Sequence, residues 1–139
     1  MAIFAMTDAL VIVNGVTLSD HANEVTVEDT RDTVDITAFG ATSKAITKGL
    51  GDANIKVKFF QDFAAGKTHA TLQPLIASST GVTIEVRPTS AARSATNPAA
   101  LMTGLLMNYN MLDGGVGDAS EITPTFMNSA QAGITYPTS

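Results

Sequence analysis

The sequence predicts a mainly β domain: a sandwich or barrel of about seven strands with one flanking α-helix. Two observations carry that reading. Short runs alternate apolar and polar residues with period two and are separated by turn residues. A single stretch between them loses its β-branched residues and gathers apolar positions on one helical face. At 139 residues the chain suits one domain, 1–139, large enough to bury a core without cross-links.

Residues 10–18 (LVIVNGVTL) place two β-branched halves around Asn14-Gly15, the strongest short hairpin signal; a single strand bulged at Gly15 is the alternative. Before them, 1–9 reads as an N-terminal arm. In 24–28, Val25 and Val27 alternate with Glu24, Thr26 and Glu28. In 33–39, Val34, Ile36 and Ala38 repeat the pattern. With the polar residues 29–32 between them, these two runs predict an antiparallel hairpin with one solvated face. Residues 40–51 (GATSKAITKGLG) break the alternation with three glycines and two lysines and predict a long loop.

A strand over 54–60 points Ile55, Val57 and Phe59 inward. Asp62 then stands where a helix cap belongs, before a helix running to Ala77 with Leu72, Leu75 and Ile76 on one face and Pro74 kinking or tightening its last turn. Residues 82–87 alternate again, and 88–98 (PTSAARSATNP) read as an irregular loop. Residues 99–112 predict a strand bent near Gly104, and 113–118 (DGGVGD) a turn. The last strand is 121–127, with Pro124 marking an edge or bulge, and 128–139 form a tail. No internal repeat is evident.

Composition excludes several function classes. The net charge of −5 argues against ordinary nucleic-acid binding, which needs basic patches to release counterions. With no cysteine, disulfides, thiolate nucleophiles and Cys-ligated zinc are absent. The first basic residue is Arg31, so no signal peptide is expected, and the early apolar run 9–13 is far too short to span a membrane. Charged residues make up 15%, against about 25% in a typical soluble domain. Such a surface suits a chain covered by neighbours.

The motifs that hint at chemistry fail on spacing. Gly66-Lys67-Thr68 looks like the end of a phosphate loop, but Gln61 stands where the cradle needs its glycine. Gly115-Val116-Gly117 is followed by Ser120 rather than glycine and opens no helix. His21 and His69 lie 48 residues apart, without metal-pair spacing and without a nucleophile elbow. No catalytic residue, metal ligand or cofactor is predicted.

One charge pattern stands out. Residues 20–35 hold six acids and one arginine, while 44–67 hold five of the eight basic residues and two acids. Either adjacent surface strands differ in sign without consequence, or Glu24, Glu28, Asp32 and Asp35 face Lys56 and Lys58 of another copy in head-to-tail contacts.

Several stretches together resemble the major tail (tail tube) proteins of long-tailed bacteriophages, the siphophages. They are VNGVTLSD, VDITAFGATSKAITKGLGDANIKVKFFQDF, ATLQPLI, IEVRPTSAARSATNPAALMTGLL and GGVGDASEITPTF, covering nearly the whole chain. The resemblance implies a tail-tube-like β-sandwich flanked by a helix, assembled as hexameric rings whose sheets continue into an inner barrel. Rings would stack into a tube through which DNA leaves the virion without specific binding. By position, 40–51 would be the inter-ring contact loop, with Gly40, Thr42, Lys44, Ile46, Lys48 and Leu50 as contact residues. The arm and tail would make further contacts. Partners implied are other copies, a tape-measure protein and other tail proteins, with no membrane, and assembly in the host cytoplasm into the phage tail. An acidic wall suits such a conduit, since it repels phosphates. Two other classes are a different structural phage protein (capsid decoration or tail completion) and a small hydrolase or ligand-binding sandwich.

Overall fold

A computed structural model describes residues 3–139; residues 1 and 2 of the N-terminal arm lie outside the described residues. The chain forms β1 (Leu10–Val13), β2 (Val16–Thr17), a 3-10 turn (Ser19–His21), β3 (Ala22–Asp35), β4 (Ile46–Phe60), α1 (Thr68–Ile76), β5 (Val82–Arg87), β6 (Ala100–Asn108), β7 (Glu121–Ile122) and β8 (Thr125–Asn128). All strands join one antiparallel sheet in the order β2-β1-β5-β6-β8-β4-β3, with β7 pairing β4 beside β8. The sheet curls into a half-barrel, so the mainly β class with one helix is observed in its barrel form.

Register explains the core. Val13 lies opposite Ile84, Ile84 opposite Met102, Leu106 opposite Phe126, Phe126 opposite Ile55 and Val57 opposite Val25. Alternation therefore sends one apolar set to the concave face, where it forms one buried cluster with Leu18, Phe59 and Ile122. Leu72 and Leu75 of α1 join that cluster, so the helix fills the open side of the half-barrel.

The Asn14-Gly15 hairpin is present, both residues taking the positive φ of 50° and 81° that a two-residue turn between twisted strands requires. Two other expectations are corrected. Residues 24–28 and 33–39 are not two strands around a turn. β3 runs straight through 29–32, because Thr30 and Arg31 pair with Asp52 and Gly51, and a register shift after Arg31 absorbs the irregularity. Residues 46–51, expected in the loop 40–51, belong to β4, which leaves a loop of 36–45 only. At Gly51 the Arg31 guanidinium lies across the ladder, its Nη1 2.8 Å from where a Cβ would stand.

Asp62 does not cap the helix either. Its Oδ1 accepts the Ala64 N–H (2.9 Å) in a turn, and α1 starts at Thr68 after Gly66. Pro74 lies within α1, which ends two residues later. Pro124 splits the expected last strand into β7 and β8. Beyond β8 the tail is docked rather than loose: Ile134 is buried, Thr135 bridges to Leu101, and the Ala99 N–H donates to Pro137 O at 3.0 Å.

Phe126 is fully buried at the centre of the sheet, whereas Phe39 is fully exposed in the 36–45 loop. Phe126→Ala is therefore expected to cost about 3–5 kcal/mol through lost transfer energy and a cavity. In unassembled protein, Phe39→Ala should stay within about 0.5 kcal/mol of wild type. Urea unfolding of both variants checks the contrast.

Candidate assembly surfaces

Beyond Ala53 the β3–β4 ladder leaves the core. Residues 29–35 of β3 are all exposed, and so are 46–52 of β4 apart from half-buried Gly49. This ribbon and its loop carry Val34, Ile36, Phe39, Ile46 and Leu50 exposed to solvent. A two-stranded ribbon is marginal in water on its own. Local bonds close its tip: Ile36 N–H donates to Ala45 O (3.0 Å), Ala45 N–H to Thr37 Oγ1 (2.8 Å) and Thr37 N–H to Asp35 Oδ1 (2.8 Å). Of the residues read as contact positions, Gly40, Thr42 and Lys44 lie in this loop, and Ile46, Lys48 and Leu50 on β4.

At the arm's root, Asp29 accepts a bond from Arg31 Nη1 and one from Tyr136 Oη at 2.8 Å. The Tyr136 bond first, then Arg31, hold the Asp29 carboxyl below its usual value. The C-terminal segment is thereby tied to the strand that becomes the arm. A groove of about 590 Å3 lies beside this node, between residues 50–53 and the turn 130–134.

The charged strand faces form one patch rather than two. Glu24 lies directly opposite Lys58, Thr26 opposite Lys56 and Glu28 opposite Asn54, all on the convex face. Lys58 Nζ also sits 3.1 Å from Glu121 Oε2, a bond that raises its pKa. Asp32 and Asp35 travel outward on the arm with Lys44 and Lys48. Among the described residues, Lys44, Lys48, Lys56, Glu24, Glu28, Asp32 and Asp35 form no ion pair.

The two sheet edges differ. At one end the outermost strand is β2, only two residues long, and the turn after it covers the rest of β1: Leu18 N–H donates to Val11 O (2.9 Å), and the Ser19 hydroxyl accepts the Val11 N–H at 2.8 Å. That end offers almost no strand. Among the described residues β3 pairs only with β4, and its other side accepts no strand along its 14 residues. Nothing in the residue pattern of β3 marked it as an edge.

The histidines serve the fold. His21 Nδ1 lies 2.8 Å from Asp20 Oδ1 and its Nε2 2.7 Å from Asp62 Oδ2. A neutral ring can donate from one nitrogen only, so both bonds need the imidazolium. Lys67 approaches Asp20 at 3.4 Å. His69 Nδ1 is 2.6 Å from Tyr109 Oη, and Thr68 Oγ1 donates to Phe60 O, so the Gly-Lys-Thr stretch is a strand-to-helix corner. Glu85, buried on β5, is bonded by Arg87 and Arg93, which pins the 88–98 loop across the sheet. Burial raises its pKa, and the Arg93 and Arg87 bonds outweigh that to lower it. Among the described residues no cluster of His, Cys, Asp and Glu is arranged to hold a metal ion, and no helix is long and apolar enough to cross a membrane.

No protein-family model matches the chain, and no curated protein matches its sequence. Solved structures do match its fold. A chain from the virion of a native gene transfer agent particle superposes with TM-score 0.73 at 10% identity, covering 94% of this chain and 95% of that one. A chain from the tail of an empty gene transfer agent particle, determined with C6 symmetry, gives 0.66 at 9% identity over 84% and 82%. The Dit protein of phage SPP1, a hub of the adsorption apparatus, gives 0.51 at 18% identity; 90% of this chain spans 51% of Dit. The fold is thus one found in chains of virion and tail particles.

The His21 clasp has a signed pH dependence. Bonds from Asp20 and then Asp62 raise the His21 pKa above 6.5. Its contribution is therefore complete below about 6.5 and is lost as pH rises through the raised folded value. Asp20 and Asp62 are lowered below 3.8, so their share is present above that value and lost as pH falls through the lowered ones. Unfolding of wild type and His21→Gln between pH 3 and 9 should show the largest stability gap in mildly acidic solution, narrowing toward both extremes.

Proposed function

We propose that this protein is a non-enzymatic structural component of a phage-type virion tail. Copies assemble into hexameric rings that stack as the tail tube, the conduit for DNA. The observation that carries the reading is the two-way coverage, 94% and 95%, of a gene transfer agent virion chain. The C6 symmetry of the matching tail supports six copies per ring. Three physical features agree: an open β3 edge able to accept a neighbour's strand, an arm too apolar to stand alone in water, and few charges to desolvate between copies. Chains arranged this way would continue one another's sheets into an inner barrel around the lumen. Gly40, Thr42, Lys44, Ile46, Lys48 and Leu50 would reach the next ring. A tape-measure protein and other tail proteins complete the assembly, and DNA passes an acidic wall without being held.

A second reading, another ring-forming structural component such as a hub, is favoured by the Dit superposition, which has the lower TM-score and covers half of that chain. Negative-stain microscopy with sedimentation separates the two: tubes are expected at high concentration, discrete single rings would favour the hub, and strict monomers would overturn both. Replacing residues 33–48 with a two-residue turn should leave a folded β circular dichroism spectrum, less the deleted strand ends, and intact rings while abolishing stacking. Normal tubes from that variant would remove the arm from the mechanism.

Assembled tubes should give no mobility shift with duplex DNA at physiological salt, because the protein is net acidic. Tight, salt-sensitive binding would contradict a lumen that lets DNA slide.

A further inference from the structure

The β3–β4 hairpin has an exposed surface at each end of its length. At the tip, every residue of the loop 36–45 is exposed, Phe39 fully, and Lys44 is the loop's single charge. The ribbon behind it is mixed in sign, with Asp32, Asp35 and Lys48. At the other end, beside Phe60, the chain turns through 109–120 and leaves Met111, Leu112 and Val116 in solvent. Hydrogen bonds hold that turn in place. Gln61 N–H donates to Ser120 O (2.8 Å), Gln61 Nε2 to Met111 O (2.6 Å) and Asp113 N–H to Ser120 Oγ (3.1 Å).

The two ends differ in charge. A cleft of about 500 Å3 at the 109–120 end is lined by Asp113, Asp118, Glu121 and Lys58. Lys58 is already paired with Glu121 at 3.1 Å, and among the described residues neither Asp113 nor Asp118 enters an ion pair. The His21 clasp nearby is balanced within itself, Asp20 and Asp62 against the imidazolium and Lys67. Lys44 at the tip also lacks an ion-pair partner among the described residues. One end therefore offers an aromatic ring with a lysine, the other apolar side chains with two carboxylates. They cannot meet within one copy. β4 spans 15 residues between them, roughly 45 Å at about 3.3 Å per residue.

We propose that loop 36–45 of one copy docks on the 109–120 surface of a copy in the next ring. Phe39 packs against Met111, Leu112 and Val116, and Lys44 turns toward Asp113 and Asp118. This rests on the stacked-ring reading and names the acceptor of the arm. The apolar contact supplies most of the attraction, and the charges select which surfaces meet. Each copy gives a tip at one end and receives one at the other, a heterologous contact that repeats from ring to ring.

Because the chain has no cysteine, two introduced thiols report the contact without background. Ser43→Cys with Ala119→Cys leaves Phe39, Lys44 and the acids in place and sets one thiol on each surface. A short bismaleimide added to the assembled double variant should give a ladder of linked oligomers on a denaturing gel. Either single variant should give nothing beyond a dimer. Tubes by microscopy with no ladder would overturn this docking and leave the tube standing. A link closed within one monomer would overturn it as well, since the two surfaces would then meet in a single copy. Wild-type protein that forms no tubes would sink both this proposal and the reading beneath it. Independently, Lys44→Glu with unchanged circular dichroism should lower the fraction of protein in tubes about tenfold at matched concentration while sparing single rings. Because unlike surfaces meet, adding Asp113→Lys to the same chain should restore the tubes. No recovery in a folded double variant would overturn the charge pairing.

Discussion

β3 and β4 are hydrogen-bonded from the Ala22–Phe59 pair out to Asp35–Ile46, and this one ladder serves two environments. Near the barrel its alternation has an apolar face: Val25 and Val27 meet Val57 and Ile55 on the concave side, and burial of Ile55 and Val57 fixes the register. Past Ala53 neither face has a core to meet. The pairing persists there because the strands are already aligned and each added pair extends an existing ladder. The arm thus inherits its direction from the core, and its position depends on the residues that hold its root.

Those residues are polar, and their part is mostly orientation. Asp29 joins Arg31 of the arm to Tyr136 of the C-terminal segment, and the latter is held to β6 by the Leu101–Thr135 bridge. Glu85 gathers Arg87 and Arg93, fixing the 88–98 loop, whose Asn97 in turn bonds the carbonyls of Ala91 and Ala92. Buried and half-buried ion pairs contribute little net stability once desolvation is subtracted, but they select one arrangement among similar ones. The apolar cluster supplies stability; these nodes decide where loop, tail and arm lie relative to it.

The sequence made the core legible where one face of a strand is buried. Residues 54–60 and 82–87 alternate because Ile55, Val57, Phe59, Ile84 and Val86 go inward, and the Asn14-Gly15 turn follows from local chemistry. It misled where neither face is buried. Residues 29–32 look like a turn because all four are polar, yet a ribbon in solvent accepts polar residues on both sides. Residues 46–51 look like a loop because Gly49 and Gly51 break the alternation, yet Gly51 gives room to a cross-strand arginine. The Asp29–Tyr136 node joins residues 107 positions apart, and no local pattern announces it. The charge segregation was read correctly as composition, but its geometry came only with the register, which sets Glu24 beside Lys58 of the same chain.

The two sheet edges bear on how copies can meet. An open edge on each subunit permits an isologous pair, in which β3 joins β3 about a twofold axis and growth stops. The arm works against that outcome. It extends β3 well past the barrel and bears exposed apolar residues, with Asp32 and Asp35 beside Lys44 and Lys48, whereas the barrel end of the same ladder sets Glu24 opposite Lys58. The other end of the sheet is the two-residue β2, with the Ser19 hydroxyl covering β1 beyond it, and offers almost no strand to extend. The open edge at the barrel and the apolar arm are different surfaces of one hairpin, so a contact between them in two copies would be heterologous, and heterologous contacts close into rings or run on without end.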